Sequence, residues 1–465
     1  MLRSQLKQLA QQYFTIPENY LLTIDEVTEE NSVFLWEKEG SDEGYYVQFD
    51  PKGQLVSLAQ PSISTTENHT TEDLEMIAKQ FLISHYPEAL TYFTLTKSDE
   101  TEKTVHFRFK QLIDGIPLSR SYCIIEVAYT GLIIEFNYRH YVENPPEIPH
   151  SIVSGEDLLE KLQTSEWFPE LIYVQYDMYS VEKTGLQMIY QNPMLHQSFD
   201  AVTGVNLFEE EFADEIEEPE QFIALPEVAA PAPLKTIEEI ISVPSTMKLI
   251  RQSEVDTDTI GMVWRDKGHE VPSTGSTMDS YIEQRFAETV KATVQVSTQQ
   301  LKGFIWFQKR LGDLQLNHEQ CLDKAVAFIK TYFPAYIPYL KLKVEQPANF
   351  EESYAFFNFS IFVNEQPIEP EYFVISINRT TGDVESLMTP KISVTELDAY
   401  TSSPLITLEQ AKRVLSELEA IPQWQLDYEE DKEIDRLIYR FVHKKTKQPV
   451  LGIHAVTGSL ITMSK

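Results

Sequence analysis

A chain of 465 residues is too long for one ordinary hydrophobic core and implies two or more domains. Its 72 acidic against 38 basic side chains leave a net charge of −34, which repels nucleic-acid phosphates and anionic lipid at long range and argues against both as partners. The only cysteines, Cys123 and Cys321, sit beside apolar residues and read as buried thiols, so a disulfide framework and a Cys-x-x-Cys redox site are excluded.

The first ten residues are interrupted by polar side chains every two or three positions and contain no continuous apolar run, so they read as an amphipathic helix start. No stretch of about 18 apolar residues follows anywhere, and a cytoplasmic protein is expected. After a helix over 1–13, Ile16-Pro17 breaks the pattern. Strands are expected from Tyr20-Leu21-Leu22 to Val33-Phe34-Leu35-Trp36, and a hairpin from Tyr45–Phe49 through Asp50-Pro51-Lys52-Gly53 to Leu55–Leu58. A Ser/Thr-rich connector at 62–71 closes this first unit. In the second, Thr70 with Asp73 forms a cap, and Leu74, Ile77, Ala78, Phe81 and Leu82 make the stripe of a core-facing helix that stops at Pro87. Strands at Val105–Phe109, Tyr122–Val127 and Leu132–Phe136 follow, the last two joined at Thr130-Gly131. A third unit opens at Ser154 with Leu158, Leu159 and Leu162 on its helix, and ends at Asp200-Ala201-Val202-Thr203-Gly204.

That last motif returns as His454-Ala455-Val456-Thr457-Gly458, with a relative in Asn378-Arg379-Thr380-Thr381-Gly382. Each reads as a hairpin turn in which Asp, Asn or His accepts turn amides and Gly takes the left-handed conformation. Residues 209–220 carry eight acids in twelve positions, and Pro226, Pro231 and Pro233 follow; this is a linker, with Phe212, Ile216, Phe222 and Leu225 available to pack it along a domain. Beyond it the three units return in order. Val243-Pro244 answers Ile16-Pro17, Trp264 answers Trp36, Val294-Gln295 answers Val47-Gln48, Phe328–Pro334 answers Phe81–Pro87, Thr381-Gly382 answers Thr130-Gly131, Thr407 with Gln410 answers Ser154 with Asp157, and Pro422 answers Pro169. The separations rise from 227 to 254 without falling, as a duplicated half with small later insertions requires. Where the first unit turns at Asp50–Gly53, the fourth has Ser297-Thr298-Gln299-Gln300, so that turn must differ. An insertion around 272–277 reads as a surface loop.

Helix-plus-meander units ending in Asp-x-x-Thr-Gly hairpins, repeated in two halves, resemble the YcdB/YcdC repeated-domain proteins, and the unit itself is similar to PepSY-type modules. The resemblance implies a binding or inhibitory module acting on peptides or peptidases, and carries no catalytic residues with it.

The residues supply no chemistry of their own. His269-Glu270 and His318-Glu319 begin like zinc-helix motifs, but Ser273 and Leu322 stand where the second histidine would be. His318 falls in the cap of the helix starting near Asn317. No nucleophile elbow or phosphate-cradling glycine loop occurs. Among the carboxylates, Glu429-Glu430-Asp431 reads as a solvated loop, while Glu126 and Glu135 share one hairpin; a glycosidase-type pair needs a cleft that the sequence does not supply. Aromatics crowd the strands, among them Tyr45, Tyr46, Phe107, Phe109, Tyr138, Tyr173, Tyr190, Phe304, Trp306, Phe307, Phe356, Phe357, Phe359, Tyr372 and Phe373. Most belong to the core, and one face of each sheet is left for solvent, another unit or a partner.

The expected fold is α+β: duplicated halves, each of three helix-plus-antiparallel-meander units, PepSY-like or cystatin-like. The first half covers 1–208, with units at about 1–61, 70–143 and 151–208; the linker covers 209–235; the second half covers 236–465, with units at about 236–311, 316–391 and 404–465. The expected function is that of a non-enzymatic binding or regulatory protein of unknown ligand, engaging an extended peptide or partner protein at a sheet edge or concave sheet face, as a monomer or homodimer. A carboxylate-based hydrolase and a homo-oligomeric scaffold are the alternatives. No catalytic, cofactor-binding or metal-ligating residue is assigned, and no cofactor, nucleic acid or membrane is expected.

Overall fold

A computed structural model describes residues 2–38, 43–61, 69–175, 178–180, 184–208, 220–269, 276–344, 353–401, 405–429 and 432–463. The first two units of the first half give β1 (Tyr20–Val27), β2 (Ser32–Lys38), β3 (Gly44–Phe49), β4 (Leu55–Ala59), β5 (Phe93–Glu100), β6 (Thr104–Ile113), β7 (Ile116–Ala128) and β8 (Ile133–Arg139). They merge into one sheet of order β1-β2-β3-β4-β8-β7-β6-β5. A four-stranded meander leaves unpaired backbone at its edge, and the antiparallel pairing of β4 with β8 removes two such edges at once.

The helices Arg3–Gln11 and Thr71–His85 cover one face of this sheet. Thr70 accepts the Asp73 amide and Asp73 reaches back to Thr70, so the expected capping box is present. Leu74, Ala78 and Leu82 pack on Phe107, Phe109, Ile125 and Phe136, all fully buried.

The chain then adds β9 (Phe168–Val174), β10 (Tyr179–Ser180), β11 (Gly185–Gln191), β12 (Phe199–Asp200) and β13 (Phe222–Ile223). The second half supplies β14 (Met247–Asp256), β15 (Thr259–Asp266), β16 (Thr289–Gln295), β17 (Leu301–Trp306), β18 (Leu340–Lys343), β19 (Tyr354–Val363), β20 (Gln366–Asn378) and β21 (Val384–Met388). Their order, β14-β15-β16-β17-β21-β20-β19-β18, repeats the first sheet strand for strand. The helix His318–Tyr332 stands where Thr71–His85 stands, and irregularities recur at matching places, Lys110/Leu112 answering Ser360/Phe362. The internal duplication is therefore present in the fold as well as in the motifs.

The third units are not separate copies. With β22 (Leu418–Glu429), β23 (Lys432–His443), β24 (Val450–His454) and β25 (Leu460–Met463), they exchange strands. β12 of the first half pairs with β23 of the second, and β24 of the second pairs with β11 of the first. The same marker residue makes the crossing in each copy: the Ala201 amide donates to the Leu437 carbonyl at 2.9 Å, and the Ala455 amide to the Met188 carbonyl at 2.8 Å. Leu158 and Leu162 of one half share a core with Trp424, Leu437 and Phe441 of the other. A parallel contact between β9 and β20 fuses this exchanged block to the second eight-stranded sheet, giving 14 strands, while β12, β23 and β22 form a small sheet of three.

The turn motifs work as their residue types predict. Asp200 Oδ1 accepts the amides of Val202 and Thr203, Asn378 Oδ1 those of Thr380 and Thr381, and His454 Nδ1 those of Val456 and Thr457. Gly204, Gly382 and Gly458 sit at φ +69°, +75° and +75°. The fourth-unit turn does differ: Gln299 takes the left-handed conformation that Gly53 takes in the first. One repeat marker is corrected by register. Trp36 pairs with Tyr45 and Trp264 with Val290, so Val47 corresponds to Ala292 rather than to Val294. A shift of two preserves the face of a strand, which is why the sequence pattern does not reveal it.

The described part of the linker lies against the second half. β13 extends the sheet beside β18, and Lys330 Nζ donates to the carbonyls of Pro226 and Val228. Positions 209–219, which hold most of the acidic run, lie outside the described residues. Cys123 and Cys321 are free and buried, and burial pushes both thiols up.

Candidate functional site

The face of the second eight-stranded sheet turned away from its helix forms the floor of a cleft of about 1140 Å³. Strand registers define two rows across that floor. One runs Arg251, Val263, Lys291, Ile305, Ser386; the next runs Ser253, Gly261, Thr293, Gly303, Met388. Alternation along each strand sends Val290, Ala292 and Val294 to the core and Lys291 and Thr293 to the opposite face. Gly303 is required by packing, since a Cβ there would meet the Leu387 carbonyl oxygen of β21 at 2.9 Å.

The wall comes from the first half. The helix Met278–Phe286 crosses over and clasps β1 and β2: the Met278 amide donates to Glu26 at 2.8 Å, the Tyr281 hydroxyl to Glu37 Oε1 at 2.6 Å, and Arg285 Nη1 to Glu37 Oε1 at 3.0 Å. Just before it, Ser276 forms a parallel bridge to Ile24, its amide donating to the Thr23 carbonyl at 3.0 Å and its carbonyl accepting from the Asp25 amide at 3.2 Å. Leu21, Thr23 and Glu37 therefore overlook the sheet floor.

Among the described residues, the charge lining this cleft is opposite to that of the chain. Its described lining holds seven lysines and arginines against two carboxylates, Glu37 and Asp266. Glu37 is already engaged by Arg285, and Asp266 caps the Gly268 amide. Lys248 and Arg265 are cross-strand neighbours, and Lys302 stands beside Gly303. Arg265 donates to the Arg285 carbonyl at 2.8 Å, while its Nε is buried with no hydrogen-bond partner among the described residues. Burial, with Arg285 nearby, lowers the Arg265 pKa. Lys291 lies over the Phe286 ring at 3.9 Å. Apolar patches from Leu21, Ile250, Met262, Val263, Ile305 and Met388 separate the cations.

The residues singled out in the sequence fall elsewhere, with two exceptions, His269 and Phe304. His269 lines the cleft, and its Nε2 is buried without a partner among the described residues; Glu270 and Ser273 lie outside them. His318 follows the N-cap Asn317 and packs on Phe357 at 4.8 Å. Glu126 and Glu135 are directly opposite on β7 and β8, with His106 Nε2 at 3.3 Å from Glu126, on the face of the first sheet opposite its helices. Glu429 pairs with Lys432 at a hairpin end, and Glu430 and Asp431 lie outside the described residues. Most of the strand aromatics are core: Phe107, Phe109, Phe359 and Phe373 are fully buried, whereas Phe307 and Phe356 are exposed. Phe304 is the one of that set in the cleft lining. The cations are what sequence reasoning missed. The available signal was at least one lysine or arginine within each of four consecutive strands, Lys248 and Arg251 in β14, Arg265 in β15, Lys291 in β16 and Lys302 in β17, in a chain where acids outnumber them.

Among the described residues no group of three or more His, Cys, Asp or Glu is placed to hold a metal ion, and no helix is long and apolar enough to cross a membrane.

Residues 3–140 and 233–390 each match the sequence profile of the YcdB, YcdC repeated domain, and these spans coincide with the two eight-stranded sheets and their helices. The chain belongs to the YcdB/YcdC repeated-domain family. It is similar to the uncharacterized protein YcdB of Bacillus subtilis (strain 168), at 26% identity over 469 residues covering 96% of this chain and 98% of that one. It is also similar to the uncharacterized protein YcdC of the same strain, at 23% identity over 443 residues covering 92% and 93%. Among solved structures, the Bacillus megaterium YpeB C-terminal domain aligns with 44% of this chain and 95% of its own, at 14% identity and a TM-score of 0.27.

Proposed function

We propose that this protein is a non-enzymatic binding or regulatory module whose cleft receives an anionic ligand. The observation that carries the reading is the reversal of sign: among the described residues lining one cleft, seven cationic side chains stand against two carboxylates, in a chain of net charge −34. At physiological salt the Debye length is about 8 Å, so the charge of the distant surface is largely screened and the local lining governs a ligand once it is close. The apolar patches between the cations suit a ligand with alternating polar and apolar groups better than a bare polyphosphate. The peptide-binding expectation carried by PepSY-type modules agrees with this, and the two free buried thiols fit a cytoplasmic setting.

The test is fluorescence anisotropy with a labelled 12-residue peptide of alternating Glu and Val, against its Lys/Val counterpart. Binding of the acidic peptide alone is expected, weakened at least tenfold by the double reversal Lys248→Glu/Lys302→Glu. Equal binding of both peptides, or no effect of the reversal, would remove the cleft from consideration.

A further inference from the structure

The duplication offers two copies of one sheet edge, and only the first is visibly filled. In β1 the irregularity between Leu22 and Ile24 turns the Thr23 carbonyl and the Asp25 amide outward, and both bond to the backbone of Ser276. β14 carries the same irregularity between Leu249 and Arg251, with Leu249 opposite Trp264 as Leu22 is opposite Trp36. The corresponding groups are the Ile250 carbonyl and the Gln252 amide. Among the described residues nothing pairs with that edge, since β14 has β15 as its single neighbour. Two other edges are closed by the chain itself, since Ser276 caps β1 and β13 caps β18, whereas β5 and β22, like β14, end their sheets with a single neighbour among the described residues. β14 is ten residues long and exposed along most of its length, with Leu249 at 44%, Ile250 at 39% and Val255 at 60%. A long exposed edge with apolar side chains is a template for pairing.

Resting on the cleft reading above, we propose that the β14 edge is a strand-docking notch, the second copy of the one Ser276 fills, and that its occupant is an extended acidic peptide. One residue of that peptide would donate its amide to the Ile250 carbonyl and accept from the Gln252 amide, as Ser276 does at Thr23 and Asp25. Main-chain bonds of this kind give affinity without reading sequence, and side-chain surroundings supply the selectivity. Those surroundings are cationic: Lys248 and Arg251 lie on the strand itself, and Arg265 and Lys302 on the floor beside it. In the first copy the residue at the place of Arg251 is Ile24, fully buried under the Ser276 segment. The apolar copy thus holds a segment of its own chain, and the charged copy is suited to one from outside.

The experiment uses the full chain with the Glu/Val peptide and, separately, linear polyphosphate. Gln252→Pro removes the edge donor and leaves every cation in place; circular dichroism checks that the sheet persists. At least tenfold weaker peptide binding in this variant, with polyphosphate binding unchanged, is expected. In the wild type, amide hydrogen exchange over 247–256 should slow at least tenfold on adding peptide and not on adding polyphosphate, a measurement that holds even if the proline variant misfolds. Peptide binding without slowed exchange at β14 would overturn the notch while leaving the cationic cleft intact. Failure of any anion to bind the wild type would overturn both. Slowed exchange at β14 that tracks protein concentration without peptide, with a dimer by light scattering, would assign the edge to a second copy and overturn the proposal.

Discussion

One row of side chains can be followed across both eight-stranded sheets, on the face opposite the helices. In the first half it reads Ile24, Leu35, Tyr46, Ala59, Glu135, Glu126, His106, Asp99; in the second, Arg251, Val263, Lys291, Ile305, Ser386, Ser376, Phe356. Cations have replaced apolar and aromatic residues at one end, and a hydrogen-bonded serine pair, Oγ to Oγ 2.6 Å, has replaced two facing glutamates in the middle. The opposite faces, which make the cores, kept their character: Phe34, Trp36, Val47 and Phe49 against Trp264, Ala292 and Val294. Packing holds one side of a sheet fixed, because a core position tolerates only apolar residues of similar volume. The other side is free to change its chemistry without changing the fold.

The comparison breaks most visibly if the halves are made as separate chains. Equivalent copies would each fold alone, but here each third unit lacks the strand that the other half lends it. Residues 1–219 and 220–465 expressed apart should each lack a cooperative transition for the exchanged block, and should recover it and co-purify when expressed together. A smaller effect separates the two joints to that block. The start of β7 is anchored by Arg120, bidentate on Asp435 at 2.9 and 2.7 Å with Asp435 only 3% exposed. The start of β20 is anchored by backbone pairing to β9, where Glu170 and Glu369 lie close enough to repel. Arg120→Ala should therefore cost about 2–4 kcal/mol by leaving a buried carboxylate unpaired, read in urea melts at constant m, whereas Glu369→Gln should cost nothing.

The smallest effect is a pH dependence at that second joint. Burial, reinforced by Glu369, pushes Glu170 up to about 7, and its Oε2 has no hydrogen-bond partner among the described residues. A carboxyl whose folded value lies above its unfolded value binds its proton more tightly in the folded state. Its contribution is fully present below the ordinary glutamate range, about 4.3, and is lost as pH rises through 7. Glu170→Gln should remove that loss and raise stability at pH 8 by about 1–2 kcal/mol, after discounting for the solvent that reaches the group. Melting temperatures of both proteins at pH 5 and pH 8 check it: the gap should be small at pH 5 and widen at pH 8.

Much of the fold was legible because local chemistry dictated it. The Thr70/Asp73 box, the stripe through Leu74, Ala78 and Leu82, and the Asp200, Asn378 and His454 turns each state their structure within a few residues. What could not be read is which strand meets which. β11 carries the same alternating pattern whether its neighbour comes from its own half or from the other, and pairing of Ile189 with His454 leaves no mark in either segment alone. The two-residue slip at Val294 was hidden for the same reason. The cleft escaped notice because Lys248, Lys291 and Lys302 each look like an ordinary solvent-facing lysine; only strand order across β14 to β17 gathers them.

Strand exchange also sets an order on biosynthesis. β11 emerges from the ribosome more than 250 residues before β24, the strand that completes it, so the first eight-stranded sheet can close early while the central block waits for β24. A nonsense mutation just ahead of the β24 codons would therefore leave unfinished a region encoded more than 250 codons earlier.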